Sequence, residues 1–147
     1  MKAHQFLLMI SSVGVVDTAL AHHAFTPIYD GDGEITIEGV VTEFEYINPH
    51  AMMKIDVTDE TGTTRNWLAE MAGRLSLLRY GWSETTVSPG DRVLVTGNPT
   101  HSGAERMFLR RIVLADGTEL LDPGYAKRSQ IDELRRQRAR SRAETNE

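Results

Sequence analysis

Histidine is the residue type here with the most chemistry to offer. The chain has five: His4, His22, His23, His50 and His101. Neutral imidazole is a ready metal ligand near pH 7. His22 and His23 follow directly on Ala19-Leu20-Ala21, and His50 closes Asn48-Pro49-His50. If the chain is cut after Ala21, His22 becomes the first residue, and its α-amino group and imidazole can chelate one ion. A further imidazole would complete an all-nitrogen site suited to copper, which stands at the top of the affinity order for divalent first-row metals. The expected metal-ligating set is therefore His22, His23, His50 and His101, with copper as the candidate cofactor. Met52 and Met71 are possible soft ligands for Cu(I). Plainer alternatives stay open: a solvated start for His22 and His23, a turn hydrogen bond for His50, a loop position for His101.

Other reaction types find little support. With no cysteine, thiol catalysis, disulfides and Cys-based zinc sites are excluded. There is no phosphate-binding loop, G-x-S-x-G or H-E-x-x-H pattern. No motif defines a reaction, and the reading leans away from an enzyme. A binding module with no metal, engaging a protein or a small-molecule ligand of the cell envelope, is the alternative to copper binding.

The cut itself is inferred from the start of the chain. Lys2, an apolar run over residues 6–16 and small residues at 19 and 21 make a signal peptide over residues 1–21. The run is too short to span a membrane. The expected location is thus periplasmic or secreted, with no transmembrane span. Charge narrows the partners further. Residues 22–125 hold 8 Lys and Arg against 16 Asp and Glu, whereas residues 126–147 hold 7 against 4. An acidic body repels nucleic acid, so none is expected as a partner. The Arg-rich tail (Arg135, Arg136, Arg138, Arg140, Arg142) reads as a solvated face.

The elements that would position these histidines are mostly strands. Residues 34–46 alternate apolar and polar, with a phase change at Gly39 that suggests a bend or bulge. Further strands are expected at 51–57, with Met53, Ile55 and Val57 on one face, and at 63–69, 92–96, 106–114 and 118–121. Asp59-Glu60-Thr61-Gly62 reads as a hairpin turn. A short helix over 74–80 ends at Gly81, and a polar helix over about 129–143 starts at a capping box of Ser129 and Asp132. Trp67, Trp82, Phe44 and Phe108 are core candidates. Three strands, a helix and two strands is the order of an oligonucleotide/oligosaccharide-binding (OB) barrel. The expected fold is all-β: a small OB-fold-like barrel with one short helix, preceded by the signal peptide and followed by a polar C-terminal helix. The expected divisions are an N-terminal arm at 22–33, the barrel at 34–122 and the tail, helical or disordered, at 123–147. In such a barrel the loops carrying His50 and His101 flank one ligand-binding face.

The same residues carry a family resemblance. Ala21-His22-His23-Ala24-Phe25, Val40-Val41-Thr42 and Asn48-Pro49-His50 resemble a family of small exported bacterial proteins of unknown function, whose members start A-H-H-S-F after the signal and carry N-P-H about two dozen residues later. Leu77-Leu78-Arg79-Tyr80-Gly81-Trp82, Pro89-Gly90-Asp91 and Val93-Leu94-Val95-Thr96-Gly97 are similar too. Ala24 departs from the usual Ser. The resemblance covers about residues 21–121 and implies a soluble periplasmic β-barrel domain, without an established activity.

Overall fold

The computed structural model describes residues 25–145. The expected signal peptide and the pair His22-His23 lie outside the described residues. The elements run α1 (Phe25–Ile28), β1 (Ile35–Glu45), β2 (His50–Thr58), β3 (Thr64–Ala72), α2 (Arg74–Leu77, continued by a 3₁₀ turn Leu78–Tyr80), β4 (Arg92–Pro99), β5 (Arg106–Leu114), β6 (Glu119–Leu121) and α3 (Pro123–Thr145). Among the described residues no helix is long and apolar enough to cross a membrane.

β1 is the strand that lets the sheet close. Its first half, Ile35 to Val40, pairs antiparallel with β4. Its second half, Val40 to Glu45, pairs with β2, with a register shift between Val41 and Glu43. The bend expected from the phase change is therefore present, and the shift lies two residues after Gly39. Gly39 marks the close approach instead: a Cβ there would lie 2.5 Å from the Asp56 carbonyl oxygen, a contact only glycine avoids. β2 continues to β3, β4 to β5, and a short parallel pairing of β3 with β5, Leu68 with Arg106 through Glu70 with Phe108, shuts the barrel. The result is the expected five-stranded OB-like barrel, with β6 extending the edge of β5.

Alternation sets the core. Ala51, Met53 and Ile55 of β2, Ala69 and Met71 of β3 and Met107 and Leu109 of β5 point inward and are fully buried. Met71 is thus core filler and is sealed away from any surface ligand. Trp82 is also buried, and its indole N–H donates to the Leu121 carbonyl at 3.0 Å. Phe44 and Trp67 pack against this core at its margin. Burying a side chain of this size is worth several kcal/mol, and truncating one to Ala typically costs ~3–5 kcal/mol. Leu77 of α2 joins the same cluster, and Gly81 ends the helix in the left-handed conformation (φ 85°), as expected of a C-terminal glycine.

Two elements differ from expectation. Residues before the first strand, expected as an N-terminal arm, include the four-residue α1 and a bridge of Tyr29 to Thr100. The C-terminal helix begins at Pro123, six residues before Ser129. Its cap is Asp122, whose carboxylate accepts the Gly124 N–H at 2.8 Å; proline then occupies the first helical position, where its missing N–H costs nothing. Asp132 pairs with Arg135 at 3.4 Å rather than with Arg136. From Gln130 to Arg138 every side chain of α3 is exposed, so this stretch is solvated, as its polar composition implies.

Candidate functional site

Outside the barrel, where β3 meets β5, a second small layer covers the strands. Glu70 and Phe108 face outward because their neighbours Met71 and Met107 face in. α1 and Tyr29 fold over them. Phe25, Tyr29 and Phe108 form an aromatic trio with ring centroids 5.2–5.6 Å apart, a spacing typical of edge and tilted packing. His50, at the start of β2, stands at the edge of this trio, 6.5 Å from Phe108.

Together they border a cleft of about 570 Å³. Phe25, Ile28 and Phe108 supply its apolar wall. Pro49 comes from the turn between β1 and β2, His50 from the start of β2, Glu70 from β3, Asp122 from the cap of α3 and Arg128 from its first turns. Gly73 also lines it. A Cβ there would meet the Pro49 carbonyl oxygen at 2.3 Å, so glycine is what lets the β1–β2 turn close against the entry to α2.

Glu70 is the hub of the polar floor. One oxygen, Oε2, accepts from the Tyr29 hydroxyl at 2.5 Å and from the Arg106 guanidinium. Arg106 Nε also donates to the Tyr29 oxygen at 2.7 Å. The other oxygen, Oε1, lies 2.6 Å from His50 Nδ1. Nδ1 is buried and makes no aligned hydrogen bond; the carboxylate is its close polar neighbour. Burial alone would raise the Glu70 pKa. The bonds from Tyr29 and Arg106 and the charges of Arg106 and His50 outweigh it, so the carboxyl is held below its usual value. Tyr29 goes the other way: desolvation, then its bond to an anion, drive its hydroxyl well above the usual range. The bond to Glu70 likewise raises Arg106. Glu70 is thus an anion at neutral pH and Tyr29 a neutral donor.

Asp122 is the second buried carboxylate of the cleft. It accepts the Ala72 N–H at 2.8 Å as well as that of Gly124, joining the end of β3 to the start of α3. Desolvation outweighs these bonds and raises its pKa.

The predicted ligands divide between two places. His50 lines the cleft. His101, on the loop from β4 to β5, has its Nε2 3.1 Å from the Thr26 carbonyl oxygen, and its backbone N–H donates to the Ile28 carbonyl at 3.1 Å. It braces α1 from outside and does not line the cleft. Met52 is half-buried on β2. Among the described residues no three His, Asp or Glu side chains are grouped so as to hold a metal ion. A second, more polar groove of about 390 Å³ lies along Arg110, Arg111, Glu119 and Tyr125. Arg110 there is engaged by Glu34, Asn98 and the Gly31 carbonyl, each at 2.8 Å, which fastens the N-terminal arm to β5.

Sequence reading missed Tyr29, Glu70, Arg106 and Asp122. Glu70 and Arg106 meet only because barrel closure sets β3 beside β5, and nothing local in the sequence reports that pairing. Asp122 did carry a signal: an Asp before Pro is a helix-start pattern.

A family of unknown function, DUF6152, matches residues 9–108, most of the barrel included. The chain belongs to that family. No curated protein and no solved structure matches it.

Proposed function

We propose that this DUF6152 member is an exported, periplasmic binding module that takes up copper at the cleft beside His50. The α-amino group and imidazole of His22 would form a chelate, His50 would add the next nitrogen, and His23 or His101 would complete the set. The observation that carries this reading is the nearness of two ends: His50 lines the same cleft as Phe25, and Phe25 is three residues after His22. Three extended residues span at most about 11 Å, so a chain cut to start at His22 would have its amino group within that distance of Phe25. His101 would first have to release the Thr26 carbonyl or bind through its other nitrogen, which favours His23 as the remaining ligand.

Calorimetric titration with Cu(II) of the chain starting at His22 tests this. Tight binding of one equivalent is expected, with marked weakening when one extra residue is placed before His22, because that converts the amine to an amide. Equal binding by the two chains would count against the chelate.

The apolar wall formed by Phe25, Ile28 and Phe108 favours a second reading, in which the cleft holds a small envelope ligand or a partner segment and no metal. Capture of a ligand from periplasmic extract that is unaffected by chelator would support it over copper.

A further inference from the structure

One face of α3 carries donors that no acceptor meets. Tyr125, Arg128, Ser129 and Arg136 recur at intervals of three, four and seven residues, so they share a side of the helix. That side lines a trench against β5. The groove beside Arg110 and Arg111 continues into a second one of about 290 Å³ that reaches Gly31 and Arg136, and Arg110, Tyr125 and Ser129 border both.

The other charges of the trench are already matched. Arg110 is engaged by Glu34, Asn98 and the Gly31 carbonyl, and its guanidinium lies over the Tyr125 ring, 5.7 Å from the centroid. Arg111 meets Glu119 at 3.5 Å, and Asp132 meets Arg135 at 3.4 Å. Arg128, Arg136 and the hydroxyls of Tyr125 and Ser129 have no hydrogen-bond or ion-pair partner among the described residues. They leave two surplus cations and two hydroxyl donors facing one trench. The barrel beside it repels anions, since residues 22–125 hold 8 Lys and Arg against 16 Asp and Glu, so the trench is a local reversal of the body's field. Guanidinium forks match the paired oxygens of carboxylate and phosphate. Eight residues separate Arg128 from Arg136, about 12 Å along the helix. A ligand with two or more oxyanion groups can engage both long side chains, whereas an anion with one such group gains little from the second.

We propose that this trench binds a small multivalent oxyanion, carboxylate or phosphate in chemistry, gripped by Arg128 and Arg136 with the Tyr125 and Ser129 hydroxyls as further donors. The site is independent of the copper reading. It uses no histidine, although Arg128 also borders the cleft.

Calorimetric titration of the metal-free protein at low salt, with tripolyphosphate, citrate and acetate as probes, tests this. One equivalent of tripolyphosphate, citrate or both should bind, and acetate much more weakly. Binding of tripolyphosphate alone would assign the site to phosphates, and binding of citrate alone to polycarboxylates. Binding of neither, or acetate bound as well as citrate, would overturn the proposal. Arg128→Gln and Arg136→Gln should each weaken the bound probe about fivefold, the upper range for an exposed ion pair. Arg138→Gln removes the same charge from the same helix outside the trench and should bind as the parent does. All three positions are exposed, so the variants keep the fold. Equal weakening by Arg136→Gln and Arg138→Gln would mean diffuse attraction to a basic helix and would overturn the site.

Discussion

One cleft has two acidic corners, and they are built on opposite principles. At the β3 corner, Glu70 is 8% exposed and meets a guanidinium, a phenol and an imidazole. At the α3 corner, Asp122 is 2% exposed and meets backbone N–H groups of Ala72 and Gly124. The first carboxyl is held below its usual pKa and the second above it. Desolvation is the largest influence at both, but it prevails at the more deeply buried Asp122, whereas at Glu70 the bonds from the Tyr29 phenol and then the Arg106 guanidinium outweigh it. Arg128 is the charge that acts on Asp122, from a distance and as the weakest of its influences. The Glu70 corner is an ionised, braced anion that can orient another group. The Asp122 corner is a structural knot between a strand end and a helix start, one that tolerates protonation.

Removing Arg106 should break the contrast most severely. Arg106→Met leaves Glu70 buried without its cation. Breaking a buried pair costs ~3–5 kcal/mol, and because Arg106 is itself 35% exposed, a loss at the lower end, about 3 kcal/mol, is expected in urea denaturation. A loss under about 1 kcal/mol would mean the pair behaves as a surface salt bridge. Asp122 variants should show a smaller effect with a distinct pH signature. Asp122→Ala removes a helix cap and the acceptor for Ala72, worth about 1–2 kcal/mol, with faster amide exchange at Ala72 and in the first turn of α3. Because the folded-state pKa of Asp122 is raised, its contribution to stability is fully present below its unfolded value, about pH 4, and is lost as pH rises through the folded value. Asp122→Asn cannot ionise. Its stability deficit relative to the parent should therefore shrink between pH 4 and pH 7, and a deficit that widens would contradict the raised pKa.

The same two corners show how far the sequence could be read. Period-two alternation located every barrel strand, and residues 106–114 match β5 end to end, because one-sided burial imposes that pattern directly. Gly39 announced the strand that serves both halves of the sheet. His50 stood out because a residue type with obvious chemistry followed a proline-ended turn. Glu70 did not, since it reads as one polar residue at the end of an expected strand; its meaning comes from Arg106, 36 residues away, through a parallel closure with no local signature. Asp122 was hidden by Gly124: Asp-Pro-Gly reads as a turn, and only the backbone tie to Ala72 makes it the start of a helix. His101 illustrates the reverse. Its loop position was legible, while its packing against Thr26 depends on α1, whose four residues are too few to show a helical period.

The most direct test of copper binding at this cleft is a pair of Cu(II) titrations, with the chain starting at His22 as one partner and its His50→Ala variant as the other. The parent should bind one equivalent, and the variant should bind at least about tenfold more weakly, a difference of ~1.4 kcal/mol or more. Equal affinity in the two chains would contradict His50 as a ligand and leave the cleft to a partner other than copper.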